Sequence, residues 1–288
     1  EIPAEFQSAA EEARMALVEA AAEGDDTLLE KYLETGELTS EEVLKGLKSV
    51  VKSSNYIPVL VSSGTLEFGL APILDAIINL FPSPAEVGPA MAQGKDGDEN
   101  LLPSDSGPLA AYVWKTTADP FVGRLTYFRV YSGVMASDGR VWNQTKSVEE
   151  RFGTLQQPRG KENAPAKVFH VGDIGAVSKL AETSTGNTLC DRTHPLALPI
   201  PQYPNALYRV AVMPKTQADS TKISPTLTRL CEEDMTLTWK QEPATNQTIL
   251  QGMGDQHIDV AIRRAETKFQ VNLGVIEPKV PYQETITK

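Results

Sequence analysis

Between Leu109 and about Ile200 the apolar residues come in short runs broken by glycine, a rhythm that few folds accept. The runs are Leu109 to Trp114, Gly123 to Tyr131, Arg140 to Asn143, Glu150 to Leu155, Lys167 to Val171 and Gly175 to Lys179. Gly133, Gly139, Gly153, Gly172, Gly175 and Gly186 punctuate them. A spacing of about 8–12 residues is too short for packed helices and fits strands joined by tight turns, so this stretch reads as an antiparallel β-barrel.

The flanking rhythms differ. From Gln7 to Lys52 apolar residues recur at helical spacing (Met15, Leu17, Val18; Leu28, Leu29, Tyr32, Leu33; Val43, Leu44, Leu47, Val50, Val51), which predicts three helices. Thr39-Ser40-Glu41-Glu42 supplies an N-cap with acids in the next turn, and Gly36 closes the helix before it. Ile57 to Val61 is a continuous apolar run stopped by Ser62-Ser63-Gly64, and an amphipathic stretch from Phe68 to Phe81 follows. Together they read as a buried strand, a turn and a helix, the last unit of an α/β sheet. Pro82-Ser83-Pro84 ends that helix, and the stretch to Pro108, rich in Gly, Pro, Asp and Glu, reads as a linker or mobile loop. Pro195, Pro199, Pro201 and Pro204 precede a third unit in the order βαββαβ, the ferredoxin-like split fold. The fold class is therefore multidomain α+β, with expected divisions at 1–83, 84–107, 108–200, 201–276 and 277–288.

Charge is unevenly distributed. The net charge is -11, and residues 1–83, 84–105, 106–201 and 202–288 carry -10, -4, +3 and 0. The acidity of the whole, taken alone, argues against a nucleic-acid partner, DNA included, yet the basic middle can meet RNA phosphate. No apolar run approaches the roughly 20 residues of a membrane-spanning helix. The first residue is Glu1 and no signal-peptide pattern follows, so the start reads as cut from a longer protein. Cys190 and Cys231 are the only cysteines and show no CxxC spacing, which points to reduced thiols and offers no metal site. His170, His194 and His257 stand apart, with no HExxH and no triad order, and are assigned structural roles. No GxxxxGK[ST], DxxG or NKxD occurs; Gly94-Lys95-Asp96 and Gly160-Lys161-Glu162 lack the spacing and the hydroxyl. No catalytic residue is assigned.

A run of longer strings in fixed order is more specific. Residues 119–133 (DPFVGRLTYFRVYSG), 172–177 (GDIGAV) and 185–191 (TGNTLCD) resemble the second-domain barrel of elongation factor G. Residues 214–219 (PKTQAD), 232–234 (EED) and 247–257 (QTILQGMGDQH) resemble its third domain, and 277–286 (EPKVPYQETI) the entry to its fourth. The resemblance implies that residues 1–83 are the end of a GTPase domain with its helical insert, and that the barrel is of the translation-factor type. It places Ser63, Gly64 and Thr65 at the guanine-facing loop, where Gly64 stands in place of the family's Ala. It implies a cytoplasmic parent that uses GTP and Mg2+, binds the small ribosomal subunit and moves tRNA and mRNA. The present chain is expected to be monomeric, to bind no cofactor of its own and not to hydrolyse GTP.

Arg124, Arg129, Arg151, Arg159 and Lys161 are the candidate rRNA contacts, because guanidinium and ammonium groups match phosphate oxygens. Two other readings stand beside this one. A relative on the same scaffold, such as a ribosomal protection protein, a release-factor GTPase or a divergent paralogue, is favoured by the departures at Gly64, Trp239 and Pro243. A free-standing enzyme with its pocket between barrel and third unit lacks any nucleophile–base pair or cofactor loop in the sequence.

Overall fold

The computed structural model describes the chain apart from residues 1, 120–122, 161, 281, 283, 285, 287 and 288. It divides into two compact units, Glu1–Gly88 and Pro89–Lys288.

The first unit is helical. After a 3-10 turn, α1 (Gln7–Ala22), α2 (Asp26–Thr35) and α3 (Ser40–Lys52) form where the periodicity places them. Asp25 caps α2 by accepting from the Thr27 amide at 3.0 Å, and Gly36 ends it at φ 74°. Thr39 and Glu42 close a reciprocal capping box on α3. Ala21, Ala22, Leu28, Leu38 and Val43 are the core. Small residues let α1 and α3 touch: a Cβ on Gly46 would lie 2.0 Å from the Ala21 carbonyl oxygen. Next come α4 (Leu70–Leu80), entered through Gly69 at φ 74°, and the single turn α5 (Pro84–Val87), whose Ser83/Glu86 capping box is joined by Lys48 at 2.6 Å.

The expected strand at Ile57 to Val61 does not form. Ile57, Val59 and Val61 are 84%, 91% and 86% exposed. The physical reason is the lack of a partner: among the described residues of this unit only an isolated bridge, Ser63 to Phe68, has strand-like pairing. A strand cannot satisfy its backbone alone. Most of the apolar face of α4 is also open, with Leu74 and Ile78 at 60% and 73%.

The second unit begins inside the stretch read as a linker. There β1 (Ala90–Gly94) and β2 (Gly97–Leu101) make a hairpin around Lys95-Asp96, with Gly97 at φ 131°. Ala92 and Leu101 bury against Ala110, Cys190, Leu196 and Leu198, and Gln93 exchanges backbone bonds of 2.8 and 2.9 Å with Ala197. The stretch reads as a linker in the sequence because its inward residues are few and alternate with charges.

The barrel follows: β3 (Ala110–Asp119), β4 (Gly123–Ser132), β5 (Met135–Ala136), β6 (Arg140–Asn143), β7 (Val148–Arg151), β8 (Leu155–Arg159), β9 (Glu162–Ala166), β10 (Val168–Phe169), β11 (Ile174–Ser178) and β12 (Thr188–Cys190). The antiparallel order is β7-β6-β12-β3-β4-β11-β8-β9, with β5 on β10. Only Phe152, Gly153 and Thr154 separate β7 from β8, so one bent strand pairs β6 with its first half and β11 with its second. That bend closes the sheet on itself. Val113, Phe128, Val130, Leu155, Phe169, Val177 and Leu189 fill the interior. Phe128 and Phe169 meet edge to face at 5.4 Å over Gly175, where a Cβ would lie 2.6 Å from the Phe128 ring.

The third unit has the predicted order: β13 (Tyr208–Pro214), a short α6 (Gln217–Ser220), α7 (Ile223–Glu233), β14 (Thr238–Glu242), β15 (Gln247–Gly252), α8 (Asp255–Phe269) and β16 (Leu273–Ile276). The sheet order β14-β15-β13-β16, antiparallel throughout, is the ferredoxin-like arrangement. Leu227, Leu230, Leu250, Ile258, Ala261 and Ala265 lie between helices and sheet. Cys190 and Cys231 are both free, and burial pushes the Cys231 thiol up to about 11.

The helical unit has a defined acid sensitivity. Lys31, with the Thr39 amide and hydroxyl, holds the Glu42 carboxyl at about 2 instead of 4.5, and Lys48 with Ser83 does the same for Glu86. Depressed carboxylates stabilise the fold fully above their ordinary values and lose that contribution as pH falls toward the folded value. Urea melts of the helical-unit transition at about pH 6 and about pH 3 should show Glu42→Gln destabilised at the higher pH and by clearly less at the lower. An equal gap at both would refute the assignment.

Candidate functional site

The loop at Ser63 is built by its own backbone. Ser63 and Phe68 exchange amide bonds of 2.9 and 3.1 Å, and the Ser63 hydroxyl accepts from the Leu66 amide at 3.3 Å. Glu67 and Gly69 turn the chain at φ 52° and 74°. A Cβ on Gly69 would lie 2.6 Å from the Val61 carbonyl oxygen, so that position requires glycine; one on Gly64 would meet nothing within 4 Å. Among the described residues the Gly64 and Thr65 amides donate to no acceptor, which leaves two backbone donors at the loop tip. An alanine at Gly64 would therefore fit, and its absence leaves the tip freer.

A second constellation lies at the rim of the barrel. Asn143, Thr183, Asn187 and Glu150 form a buried polar network. The Asn143 amide donates to Thr183 at 2.9 Å and to Asn187 at 3.0 Å, and Glu150 accepts from the Glu182 amide at 2.9 Å and from the Thr183 hydroxyl. Buried polar groups are stable only when paired, so this network fixes the 181–187 loop. The loop presents two carbonyl oxygens, of Ala181 and Thr183, to the Arg124 guanidinium at 2.6 and 3.4 Å. A further Arg124 nitrogen reaches Glu232 at 2.6 Å. Beside it, Glu233 accepts from the Ala118 amide at 2.6 Å and from the Lys268 ammonium. The end of α7 is thus clamped to β3 and β4 of the barrel by two adjacent carboxylates.

This geometry redistributes the basic candidates. Arg124 was read as a phosphate contact, but all the bonds described for it are internal. Arg129 is half-buried, its guanidinium 5.2 Å from the Tyr131 ring centre. Arg151 and Arg159 are exposed, and Arg151 faces Arg140 directly across the β6–β7 ladder. Lys161 lies outside the described residues. The loop Ser63, Gly64, Thr65 belongs to the helical unit and the arginines to the other.

All three histidines meet a carboxylate. His170 lies 2.8 Å from Asp105, His194 2.9 Å from Glu99 and His257 3.0 Å from Asp234. The first two pin the hairpin segment to the barrel. His257 Nδ1 accepts from the Met253 amide at 3.1 Å, which leaves Nε2 as the donor to Asp234. Burial would raise the Asp234 carboxyl, but bonds from Thr236 and His257 outweigh it and the net shift is downward. No group of three or more metal-ligating side chains occurs among the described residues.

Nothing local in the sequence marks Glu232 and Glu233 as clamp residues or Glu150, Asn143, Thr183 and Asn187 as their foundation. The strings at 185–191 and 232–234 marked some of the places. Their partners lie more than thirty residues away in sequence and left no local signal.

Comparison with known proteins matches these modules. The model described as Elongation factor G domain 2 matches residues 108–192, and that described as Elongation Factor G, domain III matches residues 203–277. A crystal structure of a protein from Thermus thermophilus is similar to the chain with a TM-score of 0.78 at 30% identity, covering 100% of this chain and 41% of that one. This chain thus spans less than half the length of that relative. No helix among the described residues is long and apolar enough to cross a membrane.

The clamp makes a thermodynamic prediction. In a double-mutant cycle by urea denaturation, Arg124→Ala and Glu232→Ala should couple by about 1 kcal/mol, the pair being about one-third exposed. Glu233→Ala should cost about 1–3 kcal/mol because the Ala118 amide loses its acceptor. Additive Arg124 and Glu232 effects would show that the pair does not clamp.

Proposed function

The chain belongs to the elongation factor G family, and from that premise we propose that it is the ribosome-docking part of a translational GTPase. The whole protein would couple GTP hydrolysis, with Mg2+, to movement of tRNA and mRNA on the ribosome in the cytoplasm. In this reading residues 1–83 are the end of the GTPase domain with its helical insert, and 84–107 connect it to the barrel. Residues 108–200 form the barrel, 201–276 the ferredoxin-like domain, and 277–288 begin a fourth.

The observation that supports this most directly is the exposed run Ile57–Val61. Three apolar residues more than four-fifths in solvent, followed by a loop with two free amides, have the form of a strand waiting for a parallel sheet. Such a sheet would carry the phosphate loop, which this sequence does not contain. The Gly64 and Thr65 amides would then face a guanine carbonyl, while phosphates and Mg2+ would be held by residues elsewhere in the protein. The present chain therefore binds GTP weakly and does not hydrolyse it. Hydrolysis would be felt here as a changed packing of the helical unit, transmitted through a rigid barrel and third domain.

Ribosomal RNA would meet the barrel's exposed cations. Arg151 and Arg159 remain available for that, Lys161 keeps its place in the proposal, Arg129 is partly shielded, and Arg124 serves the clamp. Sedimentation of the chain with small ribosomal subunits over a salt series tests this. Arg151→Glu should weaken binding and lower the log–log salt slope by about one. Binding indifferent both to salt and to Arg151→Glu and Arg159→Glu would contradict it.

A further inference from the structure

Between the barrel rim and the outward face of α7 runs a cleft of about 1010 Å³, bordered also by the end of α8. Four cations line it, Arg124, Lys222, Arg229 and Lys268, against one carboxylate, Glu232. Two of the four are spent: Arg124 on Glu232, and Lys268 on Glu233. Lys222 and Arg229 have no ion pair among the described residues, and both are exposed. Phe269 lies 5.8 Å beneath the Arg229 guanidinium, which orients it without using its N–H donors.

Lys222 and Arg229 are two turns apart on one face of α7, roughly 10 Å along its axis, with the Thr228 hydroxyl on the same cleft wall. Lys222 also stands at the N-cap of α7, makes no side-chain capping bond and has no acid in the turn that follows. A cation at the positive end of a helix is misplaced unless an anion completes the arrangement.

We propose that this cleft binds a small polyphosphate anion, with terminal phosphate groups at Lys222 and Arg229 and the Thr228 hydroxyl donating beside Arg229. Arg124, committed to Glu232 and to loop carbonyls, borders the cleft on the barrel side. The cleft's volume is at the upper end of that of small-ligand sites, and a single strand of RNA is the competing occupant. The assignment rests on the cavity and its charges, and stands whether or not the ribosomal role holds.

Calorimetry of the whole chain with sodium tripolyphosphate at low salt provides the test. Saturable binding is expected, weakened about tenfold or more by Lys222→Ala with Arg229→Ala. Lys167→Ala, exposed on the barrel and away from the cleft lining, should leave the affinity unchanged. The two cleft substitutions remove exposed side chains, and thermal melts would show that the variants remain folded. No binding, or equal binding by wild type and the double variant, would overturn the proposal. Binding of a short RNA oligomer without tripolyphosphate binding would overturn it too, in favour of a nucleic-acid groove.

Discussion

The contact on which the larger unit depends is the pair of carboxylates at the end of α7. Glu232 and Glu233 meet an arginine, a backbone amide and a lysine within a few ångströms. Their counterpart on the barrel is not a lone side chain. Arg124 is held by two loop carbonyls, and that loop is held by the buried Glu150–Thr183–Asn143–Asn187 network. Each layer limits the freedom of the next, so the charge pair forms with little side-chain entropy left to lose. A barrel and a split βαββαβ fold, each with its own apolar core, become one body through a few polar contacts that are expensive to leave unmade.

The helical unit shows the opposite condition. Its small apolar core is formed, the N-termini of α2 and α3 are capped, and ion pairs join α2 to α3. Beyond α3 the chain presents apolar side chains and unpaired backbone to solvent. These two states fit a protein in which one segment changes partners while the next resists deformation. That contrast links the structure to the proposed relay from nucleotide state to ribosome.

Much of this was legible in the residues. Caps and glycine stops placed α1 to α3, and alternation with glycine turns located most of the barrel. The βαββαβ order came directly from periodicity. Three kinds of feature were hidden. The 90–101 hairpin buries only Ala92 and Leu101, too little apolar signal to compete with its charges. Glu150 to Leu155 read as one strand because a bend at Gly153 looks like ordinary punctuation, although that bend closes the barrel. Ile57 to Val61 had the composition of a buried strand, but burial is a property of its neighbours and not of the run itself. At the site, the basic residues were visible while their obligations were not. Arg124 and Arg151 look alike in sequence, and only the fold shows one committed to carbonyls and a carboxylate and the other open to solvent. The departures at Trp239 and Pro243 are accommodated, Trp239 by packing on the third-unit core and Pro243 by falling in the turn after β14.

The central claim is that the clamp makes barrel and third domain a single rigid body. Spin labels at Lys146 on the barrel and Arg263 on α8, read by double electron–electron resonance, test it most directly. One narrow distance distribution is predicted for the native chain, broadening when Glu232 and Glu233 are both replaced by alanine. A broad distribution in the native chain, or one that the replacements leave untouched, would contradict the account.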